Sequence, residues 1–296
     1  MARIGFIGLG NMGQPMAGNL VKAGHEVIGY DLLADRVERA KSRGVVAGGS
    51  AAEAASGAHA VITMLPAGKD TLAVYTGGVL SATQRGTLFF DCSTIDVASA
   101  RSAHELARRS GMVSLDAPVS GGVAGAEAAT LTFMVGGDKA AFDAGEPLLN
   151  AMGKRIVHCG EAGAGQAAKI CNNLILGVSM IAVSEAFVLA EKLGVSAQAL
   201  FEVASNSSGR CWALDAYCPV PGLVAAAPSN RGYKGGFASA LMLKDLRLAR
   251  EAARSAGTAI PLGAHAAELY RCHADTGHAA EDFSGIIKLI RGSNDV

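Results

Sequence analysis

The feature that most narrows what this chain can become is a glycine string, Gly8-Leu9-Gly10-Asn11-Met12-Gly13. It follows an apolar run at 4–7 and opens a stretch that places Met16, Ala17, Leu20 and Val21 on one helical face. Strand, tight turn and helix in that order assign each glycine a task. The first permits the turn, the second lets backbone approach a pyrophosphate, and the third allows helix and strand to pack closely. The helix start adds free N–H groups for an anion. A second apolar run at 26–30 completes the context that turns a weak string into a dinucleotide-binding signature. That run ends at Tyr30-Asp31, and an acidic side chain there is suited to accept both adenosine ribose hydroxyls. Asp31 therefore selects NAD: its charge repels a 2'-phosphate, Leu32-Leu33 bring no cation, and Arg36 is the one candidate nearby. The competing role for Asp31 is to cap the next helix.

Further short apolar runs at 60–65, 87–91 and 113–115 alternate with helical patterns, as in a parallel sheet wrapped by helices. Runs at 131–135 and 155–159 flank a helical segment that starts near Asp138; the pattern leaves their direction open. From about Gly163 the periodicity changes, and 166–193, 196–205, 236–256 and 260–276 read as helices. The expected fold class is α/β, with a Rossmann-type dinucleotide-binding N-terminal domain at 1–162. An all-α C-terminal domain at 163–296, joined by a long helix, is expected to serve substrate binding and oligomerisation. The stretch 206–235, with Pro219, Pro221 and Pro228, is long enough for a loop to suggest function, and residues 293–296 are expected to fray.

Charge excludes some roles. Lys plus Arg and Asp plus Glu are 26 each, so no long-range field gathers nucleic acid or coats an acidic membrane. Six cysteines without a C-x-x-C pair fit reduced thiols in a cytosol-like compartment, and no signal peptide is read at the start. The apolar stretch 174–190 is interrupted by Ser179, Ser184 and Glu185, which suits a buried helix better than a membrane span. His25, His59, His104, His158, His265, His273 and His278 show no ligand spacing with cysteine or carboxylate, so no metal site is expected.

Three more segments carry polar residues where chemistry is expected: Asp91-Cys92-Ser93-Thr94, Asp116-Ala117-Pro118-Val119-Ser120-Gly121-Gly122, and Gly165-Gln166-Ala167-Ala168-Lys169-Ile170-Cys171-Asn172-Asn173. Lys169 and Asn173 are four apart on a helix and share a face; a lysine on an apolar helix is costly unless used, or unless it snorkels to water. Ser120-Gly121-Gly122 has the composition of a loop whose N–H groups and hydroxyl bind a carboxylate, or of an ordinary turn after a strand.

With the glycine loop, these segments resemble the beta-hydroxyacid dehydrogenase family over essentially the whole chain. The segments Asn206-Ser-Ser-Gly-Arg-Cys-Trp212, Tyr217-Cys-Pro-Val-Pro-Gly222 and Lys244-Asp245-Leu246 are most like the branch that acts on 3-hydroxyisobutyrate. The resemblance implies oxidation of that acid to methylmalonate semialdehyde with NAD, as in valine catabolism. It implies that Lys169 takes the hydroxyl proton, that Asn173 orients the substrate, and that Ser120, Gly121 and Gly122 hold its carboxylate. Gly8, Gly10, Asn11, Met12, Gly13, Asp31, Leu65, Pro66, Thr94 and Lys244 would meet the cofactor, with Phe237 a weaker pocket-wall candidate. Leu176 stands where phosphogluconate dehydrogenases carry a glutamate, so decarboxylation is not expected. Lys169 itself is absent from imine-reducing relatives, and Asp31-Leu32 replaces the Asn-Arg usual in NADPH-dependent semialdehyde reductases. Rival expectations are oxidation of L-serine or 3-hydroxypropionate, and a catalytically silent cofactor-binding scaffold. A cytoplasmic homodimer or homotetramer is expected, since one chain does not obviously cover its apolar helices.

Overall fold

In the computed structural model, residues 1–292 are described; residues 293–296, where fraying is expected, lie outside the described residues. Strand β1 (Arg3–Ile7) is central because its Ile4, Phe6 and Ile7 are buried on both faces. Gly5 lets a helix backbone rest on it, since a Cβ there would stand 2.6 Å from the Ala54 carbonyl oxygen. Around it lie β2 (Glu26–Tyr30), β3 (Val46–Ala47), β4 (Ala60–Thr63), β5 (Leu88–Asp91) and β6 (Val113–Asp116), followed by β7 (Val119–Ser120), β8 (Leu131–Gly136) and β9 (Gly153–Gly160). The order is β3-β2-β1-β4-β5-β6-β8-β7, with β9 on β8. Pairing is parallel from β3 through β6, antiparallel where β8 meets β6 and β7, and parallel again between β8 and β9. The order reverses between β1 and β4, the switch point at whose carboxyl ends open α/β sheets bind ligands.

Two strands escaped the sequence pattern. β3 and β7 are two residues each, too short for an alternation to register. The helix near Asp138 runs Lys139–Asn150, and the Asp138 carboxylate accepts the N–H groups of Ala140 and Ala141.

The chain divides into two compact units, Met1–Lys169 and a second beginning at Ile170. The second is helical: the remainder of Ala164–Lys192, then Ala197–Ser205, Trp212–Asp215, Ser239–Ser255, Pro261–His273 and Ile286–Arg291. By length and composition Ala164–Lys192 is apolar enough to cross a membrane. Met180, Ile181 and Phe187 instead pack in a core with Met242, Leu246 and Tyr270. The loop 206–235 is held by side chains bonding back to backbone: Ser229 Oγ to Cys218 O, Tyr233 Oη to Pro219 O, and Asn230 Nδ2 to Val224 O. The expected helix at 260–276 ends at His273, where a wider turn, Ala274–His278, breaks at Gly277 with φ +98°.

His273 is fully buried, and neither ring nitrogen has a hydrogen-bond partner among the described residues. Its ring stacks on His278, and Glu281 and Lys288 are the other charged groups that act on it. Burial first, and the His278 charge second, push its pKa down from 6.5 to about 4. The unfolded chain therefore binds more protons, so the stability is fully present above 6.5 and is lost as pH falls toward 4. The loss is at most about 3 kcal/mol. Burial raises the pKa of Asp91 and Asp282 and acts in the opposite sense, so the informative quantity is a difference. The gap in melting temperature between His273→Phe and the unaltered protein should widen in the variant's favour from pH 7 to 4; parallel profiles would refute this.

Candidate active site

The glycine string occupies the turn between β1 and the helix Gly13–Lys22. Its three glycines do different work. A Cβ on Gly8, whose φ is +99°, would lie 2.3 Å from Met64 O, and one on Gly13 would lie 1.9 Å from Gly8 O. Both are required by the turn itself. A Cβ on Gly10 would meet only Arg36 Nη1, at 3.9 Å, so that glycine leaves open space over the loop. Asn11 is exposed and Met12 half-buried beside it. Asp31 sits at the end of β2 with its side chain 6 % exposed. Its carboxylate accepts Leu9 N at 2.8 Å and Leu33 N at 2.9 Å, with Arg36 Nη1 at 3.4 Å. It thus pins the glycine loop to β2 and closes a turn onto Leu33 N; the next helix, Ala34–Lys41, has Leu33 as its N-cap and no side-chain cap, so Asp31 does not take the capping role. An open cradle above Gly10, bounded by a carboxylate at the β2 end, fits a dinucleotide. Leu65 and Pro66 follow β4, with Leu65 N donating to Ser93 Oγ at 2.8 Å; Thr94 is half-buried just beyond β5.

Lys169 is 7 % exposed, and its Nζ donates to Ser120 Oγ at 3.0 Å. This contact joins two segments 49 residues apart. Gly121 and Gly122 are exposed beside it with φ +129° and +60°, a conformation that favours glycine, and a Cβ on Gly122 would meet nothing within 4 Å. The loop is therefore open at the serine that accepts the lysine's hydrogen bond.

A buried framework lies behind that lysine, built largely from motif residues to which the sequence alone assigns no role. Asp116 accepts Gly163 N at 2.8 Å and Gln166 N at 2.9 Å, and His104 Nε2 lies 2.9 Å from it. Gln166 Nε2 donates to Ser93 O at 2.7 Å, and Gln166 Oε1 accepts Ile95 N at 3.1 Å. Asp91 is held by the hydroxyls of Thr63 and Ser93, yet burial still raises its pKa. The available signal was position: aspartates at the last residues of adjacent strands, in register as Asp91 and Asp116.

In the second unit Asn173 is buried and donates from Nδ2 to Asp245 Oδ2 at 2.5 Å, while its Oδ1 accepts Asn172 Nδ2 at 3.0 Å. Asp245 is buried; Lys244 beside it is half-buried on Ser239–Ser255. Trp212 stacks on Tyr217 at 4.8 Å, Tyr217 on Phe283 at 5.4 Å, and Phe237 meets Phe283 edge-on. Asp282 anchors this group by accepting Tyr217 Oη and Phe237 N, both at 2.8 Å. Burial and the Asp282 charge push the Tyr217 phenol far up. Arg210 is engaged by Asp215 at the surface.

Family models agree with this architecture. Residues 3–160 match the NAD binding domain of 6-phosphogluconate dehydrogenase, and 163–290 match the NAD-binding segment of NADP-dependent 3-hydroxyisobutyrate dehydrogenase. A Mycobacterium tuberculosis relative named as a probable 3-hydroxyisobutyrate dehydrogenase is 52% identical over 100% of both chains. An NAD-dependent L-serine dehydrogenase of Pseudomonas aeruginosa is 48% identical over 98% of both. A solved structure of the Mycobacterium tuberculosis 3-hydroxyisobutyrate dehydrogenase with L-serine superposes with a TM-score of 0.96 at 53% identity, covering 98% of this chain and 99% of that one. Fold and motifs define an NAD-dependent beta-hydroxyacid dehydrogenase acting on a small hydroxy acid. The chain belongs to the 3-hydroxyisobutyrate dehydrogenase family.

Proposed function

We propose that this enzyme oxidises 3-hydroxyisobutyrate to methylmalonate semialdehyde with NAD. The observation that carries the reading is the Lys169 Nζ to Ser120 Oγ contact at 3.0 Å, which sets an amine at the edge of an open glycine loop. In this reading Ser120, with the N–H groups of Gly121 and Gly122, receives the substrate carboxylate. Lys169 Nζ, in its neutral form, takes the proton of the substrate hydroxyl, and Asn173, one helical turn on along the same face, orients that hydroxyl. Asp245 fixes the Asn173 carboxamide by accepting from it. The turn at Gly8, Gly10, Asn11, Met12 and Gly13, with Asp31, Leu65, Pro66, Thr94 and Lys244, would hold the cofactor. Bound there, the cofactor would supply the acceptor for the hydride of the carbinol carbon. The Asp31 carboxylate supports NAD over NADP, since it opposes a 2'-phosphate and already engages Arg36.

A second reading, L-serine, is favoured by the relative of that name and by the neighbour solved with L-serine. The two acids share a carboxylate and a primary alcohol and differ at one carbon, methyl against ammonium. A methyl in an apolar pocket contributes about 1–3 kcal/mol of discrimination, whereas an ammonium needs a polar partner. Steady-state rates with 3-hydroxyisobutyrate, L-serine, 3-hydroxypropionate and tartronate-type acids, each with NAD and NADP, separate them. The expected outcome is the highest kcat/KM with 3-hydroxyisobutyrate and NAD; a higher value with L-serine would replace the first reading by the second.

A further inference from the structure

Helix Ala164–Lys192 starts hard against the sheet: a Cβ on Gly165 would lie 2.3 Å from Met134 O and 2.6 Å from Asp116 O, and one on Gly136 would lie 2.8 Å from Ala164 N. Backbone contacts that close fix where the helix begins, but not its rotation or the reach of Lys169 one turn later. The rotation is fixed by polar contacts. Asp116 takes the N–H of Gly163 and of Gln166, and the wholly buried Gln166 side chain bridges Ser93 O and Ile95 N. The peptide groups it grips flank Thr94.

We infer that Gln166 is a positioning residue for the reaction: its carboxamide locks the Ser93–Ile95 segment to the helical turn that carries Lys169, setting the amine against Ser120. The inference rests on the reading of Lys169 as the base. Gln166 touches neither reacting group in the proposed mechanism and acts through the helix. Its amide is the group the position demands, because one end must donate to a carbonyl and the other accept from an N–H. Methionine of similar length does neither, and both backbone groups then lose their buried partner.

The test compares Gln166→Met and Gln166→Glu with the unaltered enzyme, using turnover per folded molecule. A displacement of the base by a fraction of an ångström to one ångström costs up to about a hundredfold in rate. Gln166→Met should therefore lower kcat by about tenfold to a hundredfold, with the KM of the hydroxy acid little changed. The primary deuterium isotope effect on kcat, for substrate labelled at the carbinol carbon, should rise as the chemical step becomes limiting. Gln166→Glu keeps the acceptor for Ile95 N and loses the donor to Ser93 O, so it should fall between the two; it carries the test alone if the methionine variant does not fold. Unchanged kcat and isotope effect in the folded variants overturn the inference. Lys169→Ala, run alongside, separates the two failures: if that variant turns over normally the base assignment falls, and if it is inactive while the Gln166 variants are normal, only the positioning role falls.

Discussion

Lys169→Ala should lower kcat for hydroxy-acid oxidation by about a hundredfold to ten-thousandfold, the range that a positioned general base contributes, and should leave NAD binding intact. The cofactor turn explains the separation. Gly8, Gly10, Gly13 and Asp31 form a self-contained turn whose contacts, Leu9 N to Asp31 and Gly8 against Met64, do not include the lysine. Truncating Lys169 removes its contact to Ser120 and leaves the Asp116 and Gln166 contacts at the helix start in place. Lys169→Arg sharpens the result. Guanidinium keeps the positive charge and can still donate to Ser120, but it does not lose its proton in a protein; if basicity is the contribution, arginine is as inactive as alanine. The unaltered enzyme should oxidise faster as pH rises, because only the neutral amine accepts a proton, while the reverse reduction should not. Rate assays of the unaltered enzyme and both variants over a pH series, beside a cofactor titration followed by fluorescence, read turnover, pH dependence and cofactor binding. Activity in Lys169→Arg near that of the unaltered enzyme would mean that charge, not proton transfer, is what the position supplies.

Much of this architecture was legible because it is carried by local strings. The glycine turn, the strand runs and the helical second half follow from residues adjacent in sequence, and β2 has the bounds expected of it, Glu26–Tyr30. What stayed illegible depends on contacts between distant residues. β7 pairs with β8 through only two residues, and its existence is set by the partner strand rather than by its own alternation. The antiparallel turn of β8 against β6 rests on a single register pair, Asp116 with Gly136, and no periodicity encodes a direction. The string Lys244-Asp245-Leu246 does not say which way Asp245 faces; only the helix Ser239–Ser255 shows that it turns inward to Asn173. Asp116 and Gln166 appear as letters within motifs, but the fact that one receives the other's N–H across 50 residues is a property of the fold.

The glycine turn gives the second large expectation, because two glycines of one string should fail in different ways. Alanine at Gly13 brings a Cβ to 1.9 Å from Gly8 O and 3.1 Å from the Phe6 ring. The first of these is backbone and cannot swing aside, so the helix must lift away from β1. Strain of that kind costs about 3 kcal/mol, a fall of roughly 6–12 °C in melting temperature for a unit of this size. Cofactor affinity should fall with it, since the turn proposed to hold the cofactor is the turn that is spread. Alanine at Gly10 meets only the tip of Arg36 at 3.9 Å, and Gly10 is not among the glycines with positive φ. The free protein should therefore unfold within about 0.5 kcal/mol of the unaltered one. The added methyl instead occupies the space a pyrophosphate needs, so NAD should bind at least about tenfold more weakly, a change of about 1.4 kcal/mol. Calorimetric melting without cofactor and NAD titration, made on both variants, give two numbers each. Stability lost at Gly13 and affinity alone lost at Gly10 locates the cofactor over the middle glycine; undiminished NAD affinity in Gly10→Ala would place it elsewhere.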